Sequence, residues 1–423
     1  MIYFDNAATS WPKPVSVYRK MDEFIRKWGA NPGRAGHRMA VGAERIIEET
    51  RHQTAQIFTI KDYRRIIFTL NCTDSLNIGI KGLLKRGDHV ITTYLEHNSV
   101  SRPLEGLVKK GIITVTRVNH SEDGFIDLQE LNKAFTPQTR LVVIVHGSNV
   151  IGSLQPIREI GKISKEKGAI FMVDAAQTAG VIPIDVEKDN IDLLAFPGHK
   201  ALFGPPGTGG LYVAPRVDLE PWREGGSGVD SESELQPKEL PFKLEGGTIN
   251  TVGIAGLGAG ITFIQKEGIE KIRQHEMELT KYLLEKLSEM RKVIIYDSGD
   301  GEMRIGTVSF NVEGLSPAEV GAILDESFGI ACRTGLHCAP YTHKKLGTFP
   351  EGTVRFSLGY FNTREEVDFA INSLTQIAAE AWNFFKKILD KNSNICYKLY
   401  ITKSLNFKSK KEVADEKDLR GHH

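Results

Sequence analysis

The sequence has few cysteines and places none of them in a pattern typical of a structural metal site or a disulfide framework. Only four occur in 423 residues: Cys72, Cys332, Cys338 and Cys396. No two form a CxxC pair, and no second close His/Cys pair accompanies Cys332 and Cys338. Tetrahedral zinc sites and disulfide-rich scaffolds need more such ligands or more cysteines. We therefore expect no bound metal and no disulfide scaffold.

The sequence also lacks an excess of charge, a long apolar run and a secretory signal. Lys and Arg number 54 against 53 Asp and Glu, and this balance gives no sign of a nucleic-acid partner. The longest apolar runs, such as LVVIV at 141–145, are far shorter than the roughly 20 residues that span a bilayer. The start, MIYFDNAATSWPKP, has neither a basic beginning nor an apolar core. We expect a cytoplasmic protein that binds neither nucleic acid nor membranes.

Short β-branched runs alternate with amphipathic stretches through the first 255 residues. Six runs predict strands: 64–70, 88–94, 112–118, 140–147, 169–175 and 209–215. Four stretches between them predict helices: 74–87, 101–111, 127–135 and 157–168. This alternation predicts an α/β fold with a mostly parallel sheet that is buried on both faces by helices. In such sheets ligands bind beyond the carboxyl ends of the strands.

The pattern changes after about residue 256. Long helical patterns at 261–290 come first, and a smaller α+β unit is indicated by the segments that follow: 303–312, 317–327, 354–362 and a closing helix at 364–389. The predicted domains are a large one, 15–255, a small one made of 1–14 and 256–382, and a tail, 383–423. The tail is lysine-rich and aperiodic, and we interpret it as disordered or as an added segment ending in a tag remnant.

Two polar residues after predicted strands have both an ordinary and a chemical interpretation. Lys200, in GHK before a Gly/Pro-rich loop, is either solvated or a desolvated amine that forms a Schiff base with an aldehyde. Asp174 ends a hydrophobic strand and either caps the next helix or pairs with a buried cation. The protonated ring nitrogen of pyridoxal phosphate is such a cation.

Other polar clusters carry the same ambiguity. Thr73 and Asp74, in TLNCTDSLNIG, suit either a helix N-cap or a phosphate site at a helix N-terminus. His97, in YLEHNSVSRP, is either a structural histidine or one that lies flat on a cofactor ring. Asn149 in VHGSNVIG and Thr248 in EGGTIN serve glycine turns or donate to a cofactor.

Cys338 lies in RTGLHCAP, one residue after His337 and five after Arg333. The residues alone leave four roles open: a metal ligand, half of a disulfide, a buried packing thiol, or a nucleophile. Positive neighbours would favour the thiolate form that a nucleophile needs.

These motifs together resemble the class V aminotransferase-like pyridoxal-phosphate enzymes, and within them the cysteine desulfurases. The similarity is greatest to the group related to NifS and to selenocysteine lyase-like proteins, and it spans roughly residues 2–380. The motifs that carry it are DNAATS, EHNS, HGSNVIG, VDAAQTAG, GHK with its Gly/Pro loop, and RTGLHCAP. The resemblance implies fold type I with a seven-stranded-type sheet, pyridoxal 5'-phosphate as cofactor and a homodimer.

It also implies an activity, the conversion of L-cysteine to L-alanine. Sulfur passes to Cys338 as a persulfide and then to an acceptor, for example in iron–sulfur cluster assembly. Selenocysteine lyase shares nearly every residue and stays an alternative. An aminotransferase or epimerase needs no Cys338, and a non-catalytic interaction protein needs neither Cys338 nor Lys200.

Individual roles follow from the resemblance, position by position. Lys200 matches the Schiff-base lysine, Asp174 the partner of the ring nitrogen, and Gln177 the partner of the phenolic oxygen. His97 matches the histidine that stacks on the ring and takes part in proton transfer. Asn149 matches the asparagine near substrate and ring oxygen.

The remaining roles concern phosphate and substrate. Thr73 and His199 match phosphate ligands, and Thr248 matches one from the other subunit. Arg355 matches the arginine that binds the substrate carboxylate, for which a bidentate guanidinium is suited, and we place Arg333 beside it. Two positions depart from the family pattern: Pro197 stands where many relatives have a serine phosphate ligand, and Leu336 stands where one branch has histidine.

Overall fold

The computed structural model describes residues 1–391 apart from 33–35, 122, 298 and 300. The strands are β1 Ile2–Tyr3, β2 Ile66–Thr69, β3 His89–Thr93, β4 Thr114–Val118, β5 Thr139–Val145, β6 Ile170–Asp174, β7 Leu193–Pro197, β8 Gly209–Val213, β9 Val293–Tyr296, β10 Thr307–Val312, β11 Ile330–Ala331, β12 Arg333–Gly335 and β13 Thr353–Ser357. The helices are α1 Val15–Trp28, α2 Arg38–Ile57, α3 Cys72–Leu83, α4 Asn98–Lys109, α5 Leu128–Lys133, α6 Ile157–Glu166, α7 Thr251–Glu267, α8 Ile269–Ser288, α9 Pro317–Phe328, α10 Pro340–Lys345 and α11 Arg364–Lys391.

A seven-stranded sheet forms the centre of the first part of the chain, in the order β2-β8-β7-β6-β5-β3-β4. Six strands are parallel, and β8 runs antiparallel to both of its neighbours. Every residue of β6, β7 and β8 is buried because helices cover both faces of the sheet. The predicted mostly parallel sheet is confirmed.

One strand of this sheet was absent from the six predicted. The sequence of β7 is LLAFP, which has no β-branched residue and ends in proline, so its composition does not favour a strand. Its neighbours β6 and β8 nevertheless pair with it along most of its length. Lys200 therefore follows a central strand of the sheet.

The second part of the chain builds a four-stranded antiparallel sheet in the order β12-β13-β10-β9. Helices α8, α9 and α11 pack on it around a core that includes Leu283, Phe310, Leu324 and Phe356. The N-terminal strand β1 joins this part by pairing in parallel with β11. This is the smaller α+β unit that the sequence predicts, while the exact domain limits stay a prediction.

The long helices predicted in the second part of the chain are α7, α8 and α11. The helical pattern at 261–290 is split between α7 and α8 by Gly268, whose φ of 88° breaks the helix. Helix α11 runs to Lys391, close to the predicted end of the closing helix at 389, and the limit between small domain and tail stays a prediction. The rest of the predicted tail, 392–423, lies outside the described residues. Within the described part, no helix combines the length and apolarity needed to cross a bilayer.

Candidate active site

A cavity of about 200 Å³ lies beyond the carboxyl ends of β5, β6 and β7. Nine of the residues singled out in the sequence line it: Thr73, His97, Asn149, Asp174, Gln177, His199, Lys200, Arg333 and Arg355. Seven of them lie at or just after the ends of strands of the large sheet, or at the start of the helices that follow those strands. The other two, the arginines, lie in β12 and β13. The cavity therefore lies where the two parts of the chain meet, at the edge of the parallel sheet where ligands are expected.

Asp174 and Lys200 are two ionisable residues that line this cavity. Asp174 is buried, and its carboxylate accepts the Ala176 N–H at 2.9 Å and the Cys72 thiol at 3.4 Å. Burial raises the pKa of Asp174, and burial lowers the pKa of Lys200 from 10.5 to about 8. Lys200 therefore has a substantial neutral fraction near pH 8, as an amine that forms a Schiff base needs.

His97 is the N-cap residue of α4. Its Nδ1 accepts the Ser99 N–H at 3.1 Å and lies 2.9 Å from the Ser99 hydroxyl. Burial, together with the charges of Lys200 and Arg333, lowers the pKa of His97 to about 4. The ring is thus neutral at neutral pH. It caps helix α4, which is a structural role, and it also lines the cavity, where it can contact a ligand.

Helix α3 begins at the cavity, and its N-cap Asn71 accepts the Asp74 N–H at 2.9 Å. Thr73 lines the cavity, and its hydroxyl lies 2.7 Å from that of Ser99. Asp74 does not line the cavity, and its N–H donates to the helix cap. The helix terminus and Thr73 offer hydrogen-bond donors for an anion, whereas the Asp74 carboxylate is not brought into the cavity.

Among the buried polar atoms of the cavity walls that have no partner in the described part of the chain are Asn149 Oδ1 and His199 Nδ1. Burial and the nearby charges of Lys200 and Lys13 lower the pKa of His199 to about 4. Unsatisfied buried polar atoms are costly, so both atoms indicate that a polar ligand belongs there. Pro197 also lines the cavity and adds no side-chain donor.

Two arginines stand on adjacent strands at the other wall, with Arg333 directly opposite Arg355. Arg355 is buried, and its Nη2 donates to Asp5 Oδ1 at 2.6 Å. Its Nη1 donates to the Asn149 carbonyl at 3.2 Å, while its Nε has no partner within the described part of the chain. Two guanidinium groups balanced by the single carboxylate of Asp5 suit an anionic ligand.

Cys338 lies beside the cavity, in a groove of about 490 Å³ that shares Thr73, His97 and Ser99 with it. The Arg333 Nη2 is 3.9 Å from the Cys338 sulfur. Cys338 has a φ of 59°, in the left-handed region that non-glycine residues seldom adopt. Cys338 is partly exposed, and it forms no disulfide with Cys72 or Cys332, the other cysteines that the structure describes.

Hydrogen bonds hold this cysteine loop against the large sheet. Asn149 Nδ2 donates to the His337 carbonyl at 2.7 Å, and the Asn98 N–H donates to the Cys338 carbonyl at 2.7 Å. His337 is buried, its Nε2 lies 2.9 Å from the Thr353 hydroxyl, and burial lowers its pKa to about 2. His337 is therefore neutral and does not supply the positive charge expected of it, which leaves Arg333 as the cationic neighbour.

Thr248 is not part of this cavity. It lines a separate cavity of about 620 Å³ together with Arg51 and Glu245. Those two residues form a buried ion pair with an Nη1–Oε1 distance of 2.7 Å. The expected role of Thr248 at the phosphate of another subunit stays a prediction.

Several residues at the site were missed from sequence. Asp5, Cys72 and Lys13 contact Arg355, Asp174 and the backbone of His199 respectively. Asp5 begins the DNAATS motif and Lys13 lies three residues after it. This motif does not follow a strand of the large sheet, so the strand-end argument could not find them. Across the described residues, no group of three His, Cys, Asp or Glu side chains is arranged to hold a metal.

Comparison with known proteins shows the family to which this chain belongs. The model of the aminotransferase class-V family matches residues 2–369. A protein named probable cysteine desulfurase from Methanothermobacter thermautotrophicus is 37% identical over 383 residues, which cover 89% of this chain and 94% of that protein.

Solved structures of cysteine desulfurases share the fold of this chain. A cysteine desulfurase from Thermococcus onnurineus NA1 superposes with a TM-score of 0.85 at 38% identity, over 90% of this chain and 95% of that one. The Escherichia coli cysteine desulfurase CsdA gives a TM-score of 0.80 at 27% identity, over 89% and 94%. The expected type I fold of pyridoxal-phosphate enzymes is confirmed, and the chain belongs to the class-V aminotransferase family, among its cysteine desulfurases.

Proposed function

We propose that this protein converts L-cysteine to L-alanine and transfers the sulfur to Cys338 as a persulfide. One observation carries the proposal, the place of the Cys338 thiol. It lies 3.9 Å from Arg333 Nη2, in a groove that adjoins the cavity of Lys200 and Asp174. Transamination or epimerisation in the same cavity would need no thiol at this position.

The cavity residues fit pyridoxal phosphate. Asp174 is a buried carboxylate that a protonated ring nitrogen would neutralise, and Thr73 with the α3 N-terminus suits the phosphate. His199 Nδ1 is an unpartnered atom that can donate to an oxygen of the cofactor, whereas Asn149 Oδ1 can only accept, for example from a hydroxyl group. When bound, the cofactor supplies an electron sink for negative charge that develops on the substrate.

Side chains of the protein carry out the remaining steps. Arg355 and Arg333 bind the substrate carboxylate, and Lys200 in its neutral form removes the proton from the substrate Cα. The Cys338 thiolate attacks the substrate sulfur, so the Cβ–S bond breaks as the new S–S bond forms. The electron pair of the broken bond ends on Cβ, which takes a proton, Lys200 returns a proton to Cα, and the product is alanine.

The test is alanine release from L-cysteine by the cofactor-loaded protein. We expect Cys338→Ala to abolish release, while Cys332→Ala leaves it within about twofold. Cys332 is a matched control because it is six residues away, and burial raises its pKa to about 12, so it stays a thiol. Equal activity in Cys338→Ala and the wild type would contradict the proposal, and release of alanine from selenocysteine alone would favour the selenocysteine lyase alternative.

The assembly around this activity is also part of the proposal. A homodimer would bring Thr248 to the phosphate of the other subunit, and a partner protein would accept sulfur from Cys338, with iron–sulfur cluster assembly in the cytoplasm as the setting. Sedimentation of the loaded protein tests the dimer. A monomer that keeps full activity would contradict the role of Thr248.

A further inference from the structure

A short N-terminal arm, residues 5–13, lies against the backbone of the loop that carries Lys200. The His199 carbonyl accepts hydrogen bonds from the Ser10 N–H at 3.1 Å, the Thr9 hydroxyl at 2.9 Å and Lys13 Nζ at 2.7 Å. The Lys200 carbonyl accepts one from the Ser10 hydroxyl at 2.8 Å. The arm therefore supplies most of the donors that these two loop carbonyls receive.

Lys13 is the unusual member of this arm. Only 9% of its surface is exposed, and its Nζ contacts the Ser10 hydroxyl at 2.8 Å and the His199 carbonyl. No carboxylate forms an ion pair with it within the part of the chain that the structure describes, and burial lowers its pKa to about 8. An unpaired buried cation is costly, so a residue needed only for packing would not be expected to be lysine.

The same arm reaches the opposite wall of the cavity. Asp5 pairs with Arg355, and the Ala7 N–H donates to the Ser357 hydroxyl at 2.9 Å on the same strand, β13. The Ala7 carbonyl accepts the Gln177 amide at 3.1 Å. One continuous stretch of nine residues thus connects the arginine wall to the lysine loop.

We propose that Lys13, acting with Ser10, is a positioning residue for Lys200: it fixes the His199 and Lys200 carbonyls and so holds the lysine amine at its working distance from the arginine wall. This rests on the proposed function, because it assumes that Lys200 binds the cofactor and moves the substrate proton. The loop between β7 and β8 contains no regular element of its own. Its internal backbone hydrogen bonds, such as that from the Phe203 N–H to the Lys200 carbonyl, are therefore supplemented by donors from the arm.

The first readout is the rate at which the cofactor-free protein takes up pyridoxal phosphate, followed by the visible absorption of the bound cofactor. A displacement of about 1 Å of a reacting group can cost about 100-fold. We therefore expect Lys13→Met to load at least about 10-fold more slowly and to show an altered absorption spectrum. Lys20→Met, on the neighbouring helix α1, is the matched control and should load like the wild type.

The second readout separates positioning from simple structural support. Because Lys13→Met removes an unpaired buried cation, the cofactor-free variant should resist urea at least as well as the wild type. Its kcat should fall at least about 10-fold, with a change in KM for L-cysteine of less than about threefold. Ser10→Ala removes the side-chain donor to the Lys200 carbonyl and no charge, and it should change loading and kcat in the same direction.

The outcomes are distinct. If borohydride reduction of the wild type attaches no cofactor to Lys200, the proposed function itself fails. If the wild type loads and both Lys13→Met and Ser10→Ala load and turn over within twofold of it, the positioning role is wrong. Reduced urea resistance in Lys13→Met with unchanged loading would show a structural role only, and would equally overturn the proposal.

Discussion

Replacing Lys200 by methionine should stabilise the protein without its cofactor. Burial lowers the pKa of Lys200 from 10.5 to about 8, and at about 1.4 kcal/mol per pKa unit this corresponds to about 3 kcal/mol of destabilisation at pH 7. The side chain is partly exposed, and its charge also favours the ionised form of Asp174. We therefore expect a net gain for Lys200→Met of about 1–2 kcal/mol.

The lowered pKa of Lys200 also determines how the stability difference between variant and wild type changes with pH. Between about pH 8 and 10.5 the unfolded chain holds the Lys200 proton and the folded chain does not, so the wild type gains stability as pH rises through this window. Lys200→Met lacks that gain, and its advantage should shrink to below about 1 kcal/mol at pH 10. Urea unfolding of both cofactor-free proteins at pH 7 and pH 10 measures it. A variant less stable than the wild type at pH 7 would refute the reasoning.

Three further substitutions have expected outcomes. Arg355→Met should raise KM for L-cysteine at least about 10-fold, because a charge-assisted hydrogen bond is worth about 1.5–3 kcal/mol, and steady-state kinetics measure it; an unchanged KM would assign carboxylate binding elsewhere. Cys72→Ala removes the thiol donor to Asp174 and should weaken pyridoxal-phosphate binding by about 3- to 10-fold. Equilibrium titration measures the affinity, and Cys72→Ser should bind the cofactor nearly as well as the wild type. Equal affinity in all three proteins would show that this contact does not contribute to binding. Arg51→Met leaves Glu245 buried without its partner, and urea unfolding should show a loss of about 3–5 kcal/mol; a loss below 1 kcal/mol would contradict it.

The large sheet and most of its ligand-binding edge were predictable from sequence because the signal is local. Runs such as 140–147 and 169–175 are apolar enough to be strands buried on both faces. The polar residue that ends each run then lies at a known edge of the sheet. Asp174 and Asn149 were found by this argument and line the cavity.

The contacts that sequence reasoning missed depend on long-range packing. Lys13 and Lys200 are 187 residues apart in the chain, and the arm meets the lysine loop through long-range contacts such as that of the Ser10 hydroxyl with the Lys200 carbonyl. Cys72 is one residue from the predicted phosphate ligand Thr73, but no local pattern shows that its thiol reaches Asp174. The neutral state of His337 likewise follows from its burial, which a motif does not reveal.

The central claim is that Cys338 receives the sulfur of the substrate. The most direct measurement is the mass of the peptide that carries Cys338 after a single turnover of the loaded protein with L-cysteine, together with the alanine released. We predict a Cys338 peptide heavier by one sulfur atom, in equal amount with alanine, and an unmodified Cys332 peptide. Alanine formed with no sulfur on Cys338 would contradict the account.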